Sequence, residues 1–364
     1  MFDVTTLMRG HIEDMPAYEP VQAFEQMARQ LHCPVEKIIK LDANENPYGA
    51  HPAVGRALAA LNGAHVYPDS GCTALREALA AAHGIPVENI IAGAGSDELI
   101  DLIMRLLVDP DDVILNCPPT FGMYAFDAGL YRARLVQVAR RPDFSLDLEA
   151  IENAVAQEKP KILFLASPNN PDGSLIPAAA IERLLKLPVL VVLDEAYIEF
   201  AGAGRSFIGR VPEQDNLVVL RTFSKWAGLA GLRVGYGAFP AALAPHLWKV
   251  KQPYTVSVAA STAALVSLQH ADELNQTGQR LVAERERLLA GLRQISYLSP
   301  LPSQANFILC KVEDRAALEL KHSLAWMGIL VRYFNQAGLK NFIRISVGRP
   351  QDTDALLEAL RYVA

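Results

Sequence analysis

Two residues of opposite charge follow apolar segments that resemble buried strands. Asp194 ends the run at 189–193, and a carboxylate in that position is partly desolvated and needs a partner. Lys225 comes shortly after the run at 217–220 and lies next to Trp226. A desolvated lysine loses basicity, and its neutral amine is suited to imine formation with a carbonyl compound. Alone, each residue is better explained as a capping aspartate or a surface lysine.

A third feature is a glycine-containing turn after another apolar run. Residues 93–95 read Gly-Ala-Gly, and Ser96 is placed to cap the helix that follows. Free amides at a helix N-terminus bind phosphate groups. The turn is not a dinucleotide fingerprint, because Glu98 stands where the last glycine belongs, and no Gly-Lys-Ser/Thr follows as in a Walker loop. By itself it is equally well an ordinary strand-to-helix turn.

The three features together match the needs of pyridoxal phosphate. The lysine would bond to the cofactor's aldehyde, the aspartate would keep the pyridine nitrogen protonated, and the loop amides would hold the phosphate. The sequence therefore predicts this organic cofactor, and it predicts no metal. The four cysteines are widely scattered without zinc-ligand spacing, and no HExxH motif occurs.

The elements that must position these residues are read from hydrophobic periodicity. Continuous apolar runs predict strands buried on both faces, hence a mostly parallel sheet flanked by helices. Ligands bind such a sheet at the carboxyl ends of its strands. The predicted strands lie at 89–92, 112–116, 133–138, 162–166, 189–193 and 217–220. Helices are predicted at 21–31, 257–268, 279–292, 316–327 and 353–362, with strands at 306–310, around 331 and at 342–347.

This pattern divides the 364 residues into three parts. Residues 1–40 are predicted to form an arm with one helix, residues 41–265 a large α/β domain, and residues 266–364 a smaller α+β domain that can include part of the N-terminal segment. The formal net charge of −6 argues against a nucleic-acid or anionic-membrane partner. The absence of a signal-like or membrane-spanning run and the scattered thiols favour a cytoplasmic location.

At this point the chain resembles fold-type I, aspartate aminotransferase-like pyridoxal-phosphate enzymes. The resemblance is carried by Asp194 with Tyr197, by the pair Ser224 and Lys225, and by Gly-Leu-Arg at 231–233. The segment Leu-Asp-Ala-Asn-Glu-Asn-Pro at 41–47 and Tyr-Pro-Asp at 67–69 are similar to the histidinol-phosphate branch of that family. The resemblance implies a large sheet domain with a smaller α+β domain, and a homodimer with its active site at the interface.

The resemblance also implies roles for single residues. Lys225 would bond to the cofactor and then move a proton between substrate Cα and cofactor, and Asp194 would pair with the pyridinium nitrogen. Tyr197 and Asn170 would hydrogen-bond the phenolic oxygen, and Phe121, where many relatives have tyrosine, would stack on the ring. The residues implied to hold the phosphate are Ser96, Asp97, Ser224 and Arg233, with Tyr67 from the partner subunit.

On the substrate side the resemblance implies an anion site. Arg344 would bind the anionic end of the substrate, Arg332 would be a second cation there, and Tyr18 and Asn44 would line the pocket. Arginines suit phosphate or carboxylate through bidentate hydrogen bonds. The chain departs from the usual Asn-Pro-Thr-Gly turn at Asp172, which retains turn-forming chemistry.

The implied reaction is transamination between L-histidinol phosphate and 2-oxoglutarate, both small molecules. Two alternatives keep the cofactor: transamination of aromatic amino acids, and decarboxylation of phosphothreonine. A transcription-regulating sensor would need an added basic domain, which the length and charge do not allow. A dehydrogenase is disfavoured by the failed dinucleotide fingerprint.

Overall fold

The computed structural model describes residues 2–17, 24–31 and 33–363, and its elements are as follows. The helices are α1 Gly10–Glu13, α2 Phe24–Leu31, α3 Pro52–Ala59, α4 Thr73–His83, α5 Ser96–Leu107, α6 Met123–Leu130, α7 Leu148–Glu158, α8 Ala178–Leu184, α9 Ala244–Val250, α10 Val258–Gln269, α11 Ala271–Leu292, α12 Ala317–Trp326 and α13 Pro350–Tyr362. The strands are β1 Ile39–Leu41, β2 Ile90–Gly93, β3 Val113–Asn116, β4 Arg134–Gln137, β5 Ile162–Ala166, β6 Leu190–Asp194, β7 Leu217–Thr222, β8 Gly235–Ala238, β9 Leu298–Pro300, β10 Phe307–Val312, β11 Ile329–Tyr333 and β12 Phe342–Ser346.

Seven strands form the larger sheet, in the order β2-β8-β7-β6-β5-β3-β4. Strands β7, β6, β5, β3 and β4 pair in parallel, and β8 runs antiparallel to both of its neighbours. The parallel register sets Ala166 beside Asp194, so the carboxyl ends of β5 and β6 meet at one edge. The predicted mostly parallel sheet and its fold class are confirmed.

Both faces of this sheet are buried, and alternate residues of one strand serve opposite faces. In β5, Leu163 packs on the side covered by α4, α7, α8 and α10, whereas Phe164 packs on the side covered by α5, α6 and α9. Val191 and Val192 of β6 divide in the same way. Burial on both faces explains why these strands read as continuous apolar runs.

The smaller sheet has the order β1-β11-β12-β10-β9 and packs against α11, α12 and α13. Its edge strand β1 comes from the N-terminal part of the chain and pairs in parallel with β11. Tyr197 and Phe200, which follow β6 of the large sheet, are buried in the core of the smaller one. The region after Asp194 therefore lies between the two sheets. The domain division near residue 265 stays a prediction, and α10 contains that position.

Several element boundaries differ from the sequence-based ones. Gly95, not Ser96, is the N-cap of α5, and Ser96 is its first helical residue. The long helix begins at Ala271, eight residues before the predicted start. The start was predicted too late because Gly278 interrupts the apolar periodicity, although it is buried inside the helix. Of the helix predicted at 21–31, residues 24–31 are helical and residues 21–23 lie outside the described residues. Within the described ranges, no helix is long and apolar enough to cross a membrane.

Candidate active site

Two adjoining cavities lie where β5, β6 and β7 end, with about 640 and 790 Å³ of empty space, part of which is open to solvent. Every predicted cofactor-binding residue except Tyr67 lines the first cavity: Ser96, Asp97, Phe121, Asn170, Asp194, Tyr197, Ser224, Lys225 and Arg233. The second cavity is lined by Asn44, Arg332 and Arg344 and shares Phe121, Asn170, Tyr197 and Lys225 with the first. A molecule in one cavity can therefore contact a molecule in the other.

Asp194 is the last residue of β6 and is almost fully buried. Burial raises the pKa of its carboxyl to about 6, against two hydrogen bonds that oppose the rise. Tyr124 Oη donates to Oδ2 at 2.8 Å, and the backbone N–H of Ala196 donates to Oδ1 at 3.0 Å. These donors favour the charged carboxylate inside an apolar environment.

Lys225 follows β7 on a loop and is half-buried between the two cavities. Desolvation lowers the pKa of its amine to about 8, and the positive charge of Arg344 acts in the same direction. Its Nζ donates to the backbone oxygen of Ala43 at 3.1 Å and lies 5.9 Å from the centre of the Tyr197 ring. A substantial neutral fraction near pH 8 is what a nucleophilic or proton-accepting amine needs.

The hydroxyl of Tyr197 is fixed by the segment that precedes α3. Asn44 Nδ2 donates to Tyr197 Oη at 3.1 Å. Asn44 is itself held by Ser346, whose Oγ accepts from the Asn44 N–H and donates to Asn44 Oδ1, both at 2.9 Å. Asn306 Nδ2 donates to the Asn44 carbonyl at 3.0 Å. Residues of the smaller sheet and of the segments next to it thus set the position of a phenol that follows a strand of the larger sheet.

The turn between β2 and α5 requires glycine at position 95, because its φ of 86° is a conformation that other residues rarely adopt. A Cβ there would also lie 2.6 Å from Nη2 at the flexible end of the Arg233 side chain. Arg233 Nη2 donates to Asp97 Oδ2 at 3.0 Å, and both side chains are half exposed toward the first cavity. Glu98, which stands where a dinucleotide fingerprint would have glycine, instead accepts a hydrogen bond from the Ala94 N–H. This bond joins the first turn of α5 to the preceding loop.

The same cavity edge is completed by the loop after β7. The backbone N–H of Ser224 donates to Thr222 Oγ1 at 3.1 Å, and that hydroxyl donates to Ser224 Oγ at 3.0 Å. The first-turn amides of α5, the Ser224 hydroxyl and the Arg233 guanidinium therefore surround one end of the cavity. This donor set is suited to a phosphate group.

Two arginines stand directly opposite each other in the second cavity, Arg332 on β11 and Arg344 on β12. Arg344 Nη1 donates to Asn170 Oδ1 at 2.6 Å and Nη2 donates to the Asp42 carbonyl at 2.7 Å. Both guanidinium groups lie within 6 Å of the centre of the Phe334 ring. Cations beside an aromatic wall suit a substrate with an anionic end and a planar group.

Two predicted site residues are placed elsewhere. Tyr67 does not line the cavities of its own chain; it is 80% exposed and stacks on Tyr254 with ring centres 4.7 Å apart. Its predicted contact with a partner's phosphate site stays a prediction. Tyr18 lies outside the described residues, so its predicted role stays a prediction too.

Sequence analysis missed Tyr124, which is fully buried and bonded to Asp194. It lies three residues after Phe121, and the two rings meet edge to face at 5.6 Å. Phe121 precedes α6 and Tyr124 lies in its first turn, and the sequence predicted no helix at this position. Thr120 was missed as well: its Oγ1 donates to Asn169 Oδ1 at 2.8 Å and joins the Phe121 loop to the Asn170 turn.

The first cavity fits pyridoxal phosphate by the chemistry of its donors. A buried, hydrogen-bonded carboxylate suits a pyridinium nitrogen, an amine with lowered pKa suits the aldehyde, and the amide and guanidinium donors suit the phosphate. The Phe121 side chain lines the same cavity and supplies an aromatic face.

Comparison with known proteins gives a consistent set of relatives. A sequence model of the family described as "Aminotransferase class I and II" matches residues 36–360. The chain is 52% identical over 369 residues to "Histidinol-phosphate aminotransferase" of Roseiflexus castenholzii, covering 99% of both proteins. It is 50% identical over 356 residues to the chloroplastic enzyme of that name from Nicotiana tabacum, covering 98% of this chain and 86% of that protein. A solved structure of the Sinorhizobium meliloti histidinol-phosphate aminotransferase, in complex with pyridoxal-5'-phosphate, superposes with a TM-score of 0.89 at 29% identity, covering 98% of each chain.

Proposed function

This chain belongs to the aminotransferase class I and II family, and we propose that it uses pyridoxal phosphate to transfer the amino group of L-histidinol phosphate to 2-oxoglutarate. The products are imidazole-acetol phosphate and L-glutamate, in a step of histidine biosynthesis. The observation that carries the choice of substrate is the identity of about half of all residues to relatives of that name over nearly the whole chain. The second cavity supports it with paired arginines beside an aromatic wall.

Three side chains of the first cavity act on the cofactor and on the Cα proton of the substrate. When bound, pyridoxal phosphate supplies an electron sink for the pair left at Cα. Asp194, whose charged form is favoured by the hydrogen bonds from Tyr124 and Ala196, would keep the pyridine nitrogen protonated. Lys225 accepts the Cα proton as a neutral amine and returns it as an ammonium, and its lowered pKa suits both directions. Tyr197 Oη, oriented by Asn44, would donate a hydrogen bond to the phenolic oxygen of the cofactor.

The substrate end is assigned to the second cavity. Arg344 and Arg332 bind the phosphate of the donor or a carboxylate of the acceptor, so one site serves both half-reactions. Arg344 is pre-oriented by Asn170 and by the Asp42 carbonyl, which reduces the conformational entropy lost on binding. Phe334 provides a flat surface for the imidazole.

The direct test is an assay of the purified protein with histidinol phosphate and 2-oxoglutarate. We expect glutamate formation with parallel steady-state lines, because the amino group is stored on the enzyme between two half-reactions. Lys225→Ala is expected to abolish turnover and the visible absorbance that covalent attachment of the cofactor produces. The exposed Lys249→Ala serves as the matched control. Intersecting lines, or unchanged absorbance in Lys225→Ala, would overturn the mechanism.

An aromatic amino acid is the second candidate donor, favoured by Phe121 and Phe334 in the substrate cavity. Its carboxylate would occupy the arginine site and its ring the aromatic wall. Turnover of phenylalanine well above that of histidinol phosphate would select this function. Release of carbon dioxide from phosphothreonine would select the decarboxylase that the sequence also leaves open.

The homodimer and the cytoplasmic location are proposals of the same kind. Exposed Tyr67 supports the dimer, because it lines neither of the two active-site cavities of its own chain. The Roseiflexus relative is named without an organelle, whereas the Nicotiana relative is named chloroplastic. Light scattering of the purified enzyme tests the dimer, and fractionation of the source cells tests the location.

A further inference from the structure

Outside the active site, one group of side chains brings three metal-ligating atoms together. His51 Nε2 lies 2.8 Å from Glu273 Oε2, and His270 Nδ1 lies 2.9 Å from Glu273 Oε1. The two imidazole rings stack with centres 4.1 Å apart. Among the described residues, this is the group of three in which one ligand atom from each lies within 4.8 Å of the others.

We propose that His51, His270 and Glu273 form a binding site for a divalent transition-metal ion of the zinc type. Two imidazole nitrogens and one carboxylate oxygen are a donor set that Zn²⁺ accepts in tetrahedral geometry, with a water as fourth ligand. Calcium and magnesium prefer all-oxygen sites and are excluded by the two imidazoles.

The fold holds the three ligands on two separate segments. His51 is the N-cap of α3, whereas His270 joins α10 to α11 and Glu273 lies in the first turn of α11. The side chains of His51 and His270 are 13% and 32% exposed, and that of Glu273 is 58% exposed. The His51 side chain is thus largely enclosed, while the exposed parts of His270 and Glu273 leave an open side for the ion and its water ligand.

Metal binding would replace contacts that the three side chains make with one another. His51 Nε2 and His270 Nδ1 each lie against a different oxygen of Glu273, so coordination exchanges these two contacts for metal–ligand bonds. His51 Nδ1 accepts from the Ala53 N–H at 3.3 Å, a long contact. Coordination through Nε2 requires the His51 tautomer that carries its proton on Nδ1. In that tautomer Nδ1 no longer accepts from the Ala53 N–H, so the helix-capping hydrogen bond is lost when the metal–nitrogen bond forms.

A metal at this position would join segments that also support the active site. Two residues after Glu273, Asn275 Oδ1 accepts from Trp226 Nε1 at 2.9 Å, and Trp226 is adjacent to Lys225. On the α3 side, Asn46 Nδ2 donates to the Trp226 carbonyl at 3.0 Å. The ion would therefore act as a structural clamp between the start of α3 and the start of α11, away from the reacting atoms.

The test is a calorimetric titration of the chelator-treated holoenzyme with zinc chloride. We expect one saturable site per chain of micromolar or tighter affinity, and a higher Tm when it is filled. Glu273→Gln keeps the shape and hydrogen-bonding capacity of the side chain and should weaken binding at least tenfold, as should His270→Ala, whose side chain caps no helix. The exposed His322→Ala is the matched control and should bind like the unaltered chain.

Circular dichroism of each variant separates loss of a ligand from loss of fold. Weakened zinc binding in folded Glu273→Gln, with His322→Ala unaffected, supports the site. Zinc binding that is unchanged in Glu273→Gln and His270→Ala, or the absence of saturable binding to the unaltered enzyme, overturns it. Neither outcome depends on the enzyme's substrate, so the proposal stands or falls separately from the proposed function.

Discussion

At the level of single residues, the chemistry depends on a carboxylate whose negative charge is disfavoured by its burial. Desolvation raises the pKa of Asp194 to about 6, and the hydrogen bond from the Tyr124 hydroxyl is the strongest interaction that opposes the rise. Tyr124 is fully buried and stacks on Phe164 with ring centres 4.9 Å apart, so its hydroxyl has little freedom to turn away. The hydrogen bond therefore keeps Asp194 charged at the pH at which it must pair with a cation.

Tyr124→Phe removes this donor and leaves the packing nearly intact. A hydrogen bond to a charged group contributes about 1.5–3 kcal/mol, and one pKa unit corresponds to about 1.4 kcal/mol. We expect the pKa of Asp194 to rise by about one unit or more, so that the acidic limb of the pH–kcat profile moves to higher pH by the same amount.

Tyr131→Phe is the matched control, since its hydroxyl donates to Asp101, which does not line either cavity. It should leave the acidic limb in place. A Tyr124→Phe enzyme whose activity falls equally at every pH would show that the tyrosine contributes packing alone, and the positioning role would be rejected.

The lowered pKa of Lys225 makes a separate prediction for the cofactor-free protein. Only the neutral amine attacks the aldehyde of pyridoxal phosphate, and with a pKa of about 8 the neutral fraction rises with pH up to that value and then levels off. Stopped-flow measurement of cofactor incorporation should show a plateau above about pH 9. An ordinary lysine has a pKa of 10.5, so a rate still climbing steeply between pH 9 and 10 would contradict the lowered value.

Residue types at strand ends made Asp194 and Lys225 candidates from the sequence alone. Asn44 was predicted to line the substrate pocket, as it does, but its hydrogen bonds were not predicted, because they join distant segments. Asn44 meets Tyr197 and Ser346, more than a hundred residues away in the chain in each case. Nothing in the local pattern around Asn44 indicates either partner.

At the level of elements, the phosphate end of the site depends on how closely β8 approaches the start of α5. A Cβ on Gly235 would lie 2.7 Å from the Ser96 nitrogen and 2.8 Å from the Gly95 carbonyl carbon. Both atoms belong to the backbone of the turn that offers its amides to phosphate. The close approach fixes where those amides point.

Gly235→Ala should push the first turn of α5 away from the sheet. Since amide donors act over a narrow range of distances, we expect pyridoxal phosphate to bind about tenfold or more weakly, as measured by equilibrium dialysis. Gly55→Ala in α3, where a Cβ would meet nothing within 4 Å, is the control and should bind the cofactor normally. Equal cofactor affinity in the two variants would contradict the proposed role of the β8 approach.

Strand β8 was not predicted from the sequence. Its four residues read Gly-Tyr-Gly-Ala, so the two glycines conceal a strand that is buried throughout. By contrast, β5 reads Ile-Leu-Phe-Leu-Ala, and its bounds were predicted correctly. The pairing of β1 with β11 could not be predicted from the sequence either, because the paired residues Ile39 and Ile329 lie at opposite ends of the chain.

At the level of the whole molecule, the two sheets meet at the site. Tyr197 follows the large sheet, yet its ring packs edge to face on Phe307 of the smaller sheet at 5.0 Å. Arg344 extends from the smaller sheet to Asn170, beyond β5 of the larger one. The substrate cations and the cofactor cavity are therefore held in register by the packing of one sheet on the other.

One predicted ligand of the phosphate lies outside this arrangement. Tyr67 and Tyr254 form a stacked, exposed pair, and Val66 beside them is also exposed. Large exposed aromatic side chains in a cluster are typical of interfaces. If Tyr67 completes the site of a second copy, its loss must damage the partner's site and not its own.

Hybrid dimers made by co-expressing Tyr67→Ala and Lys225→Ala chains distinguish these cases. In a hybrid, the site with an intact Lys225 receives Tyr67 from the Lys225→Ala chain, so it is complete, while the other site has both defects. With random pairing half of the dimers are hybrids, and one of their two sites works, so activity should recover to about a quarter of the unaltered enzyme's. If Tyr67 served its own chain, each hybrid site would carry one defect, and the activity would not exceed the mean of the two variants. That result would reject a site shared between subunits.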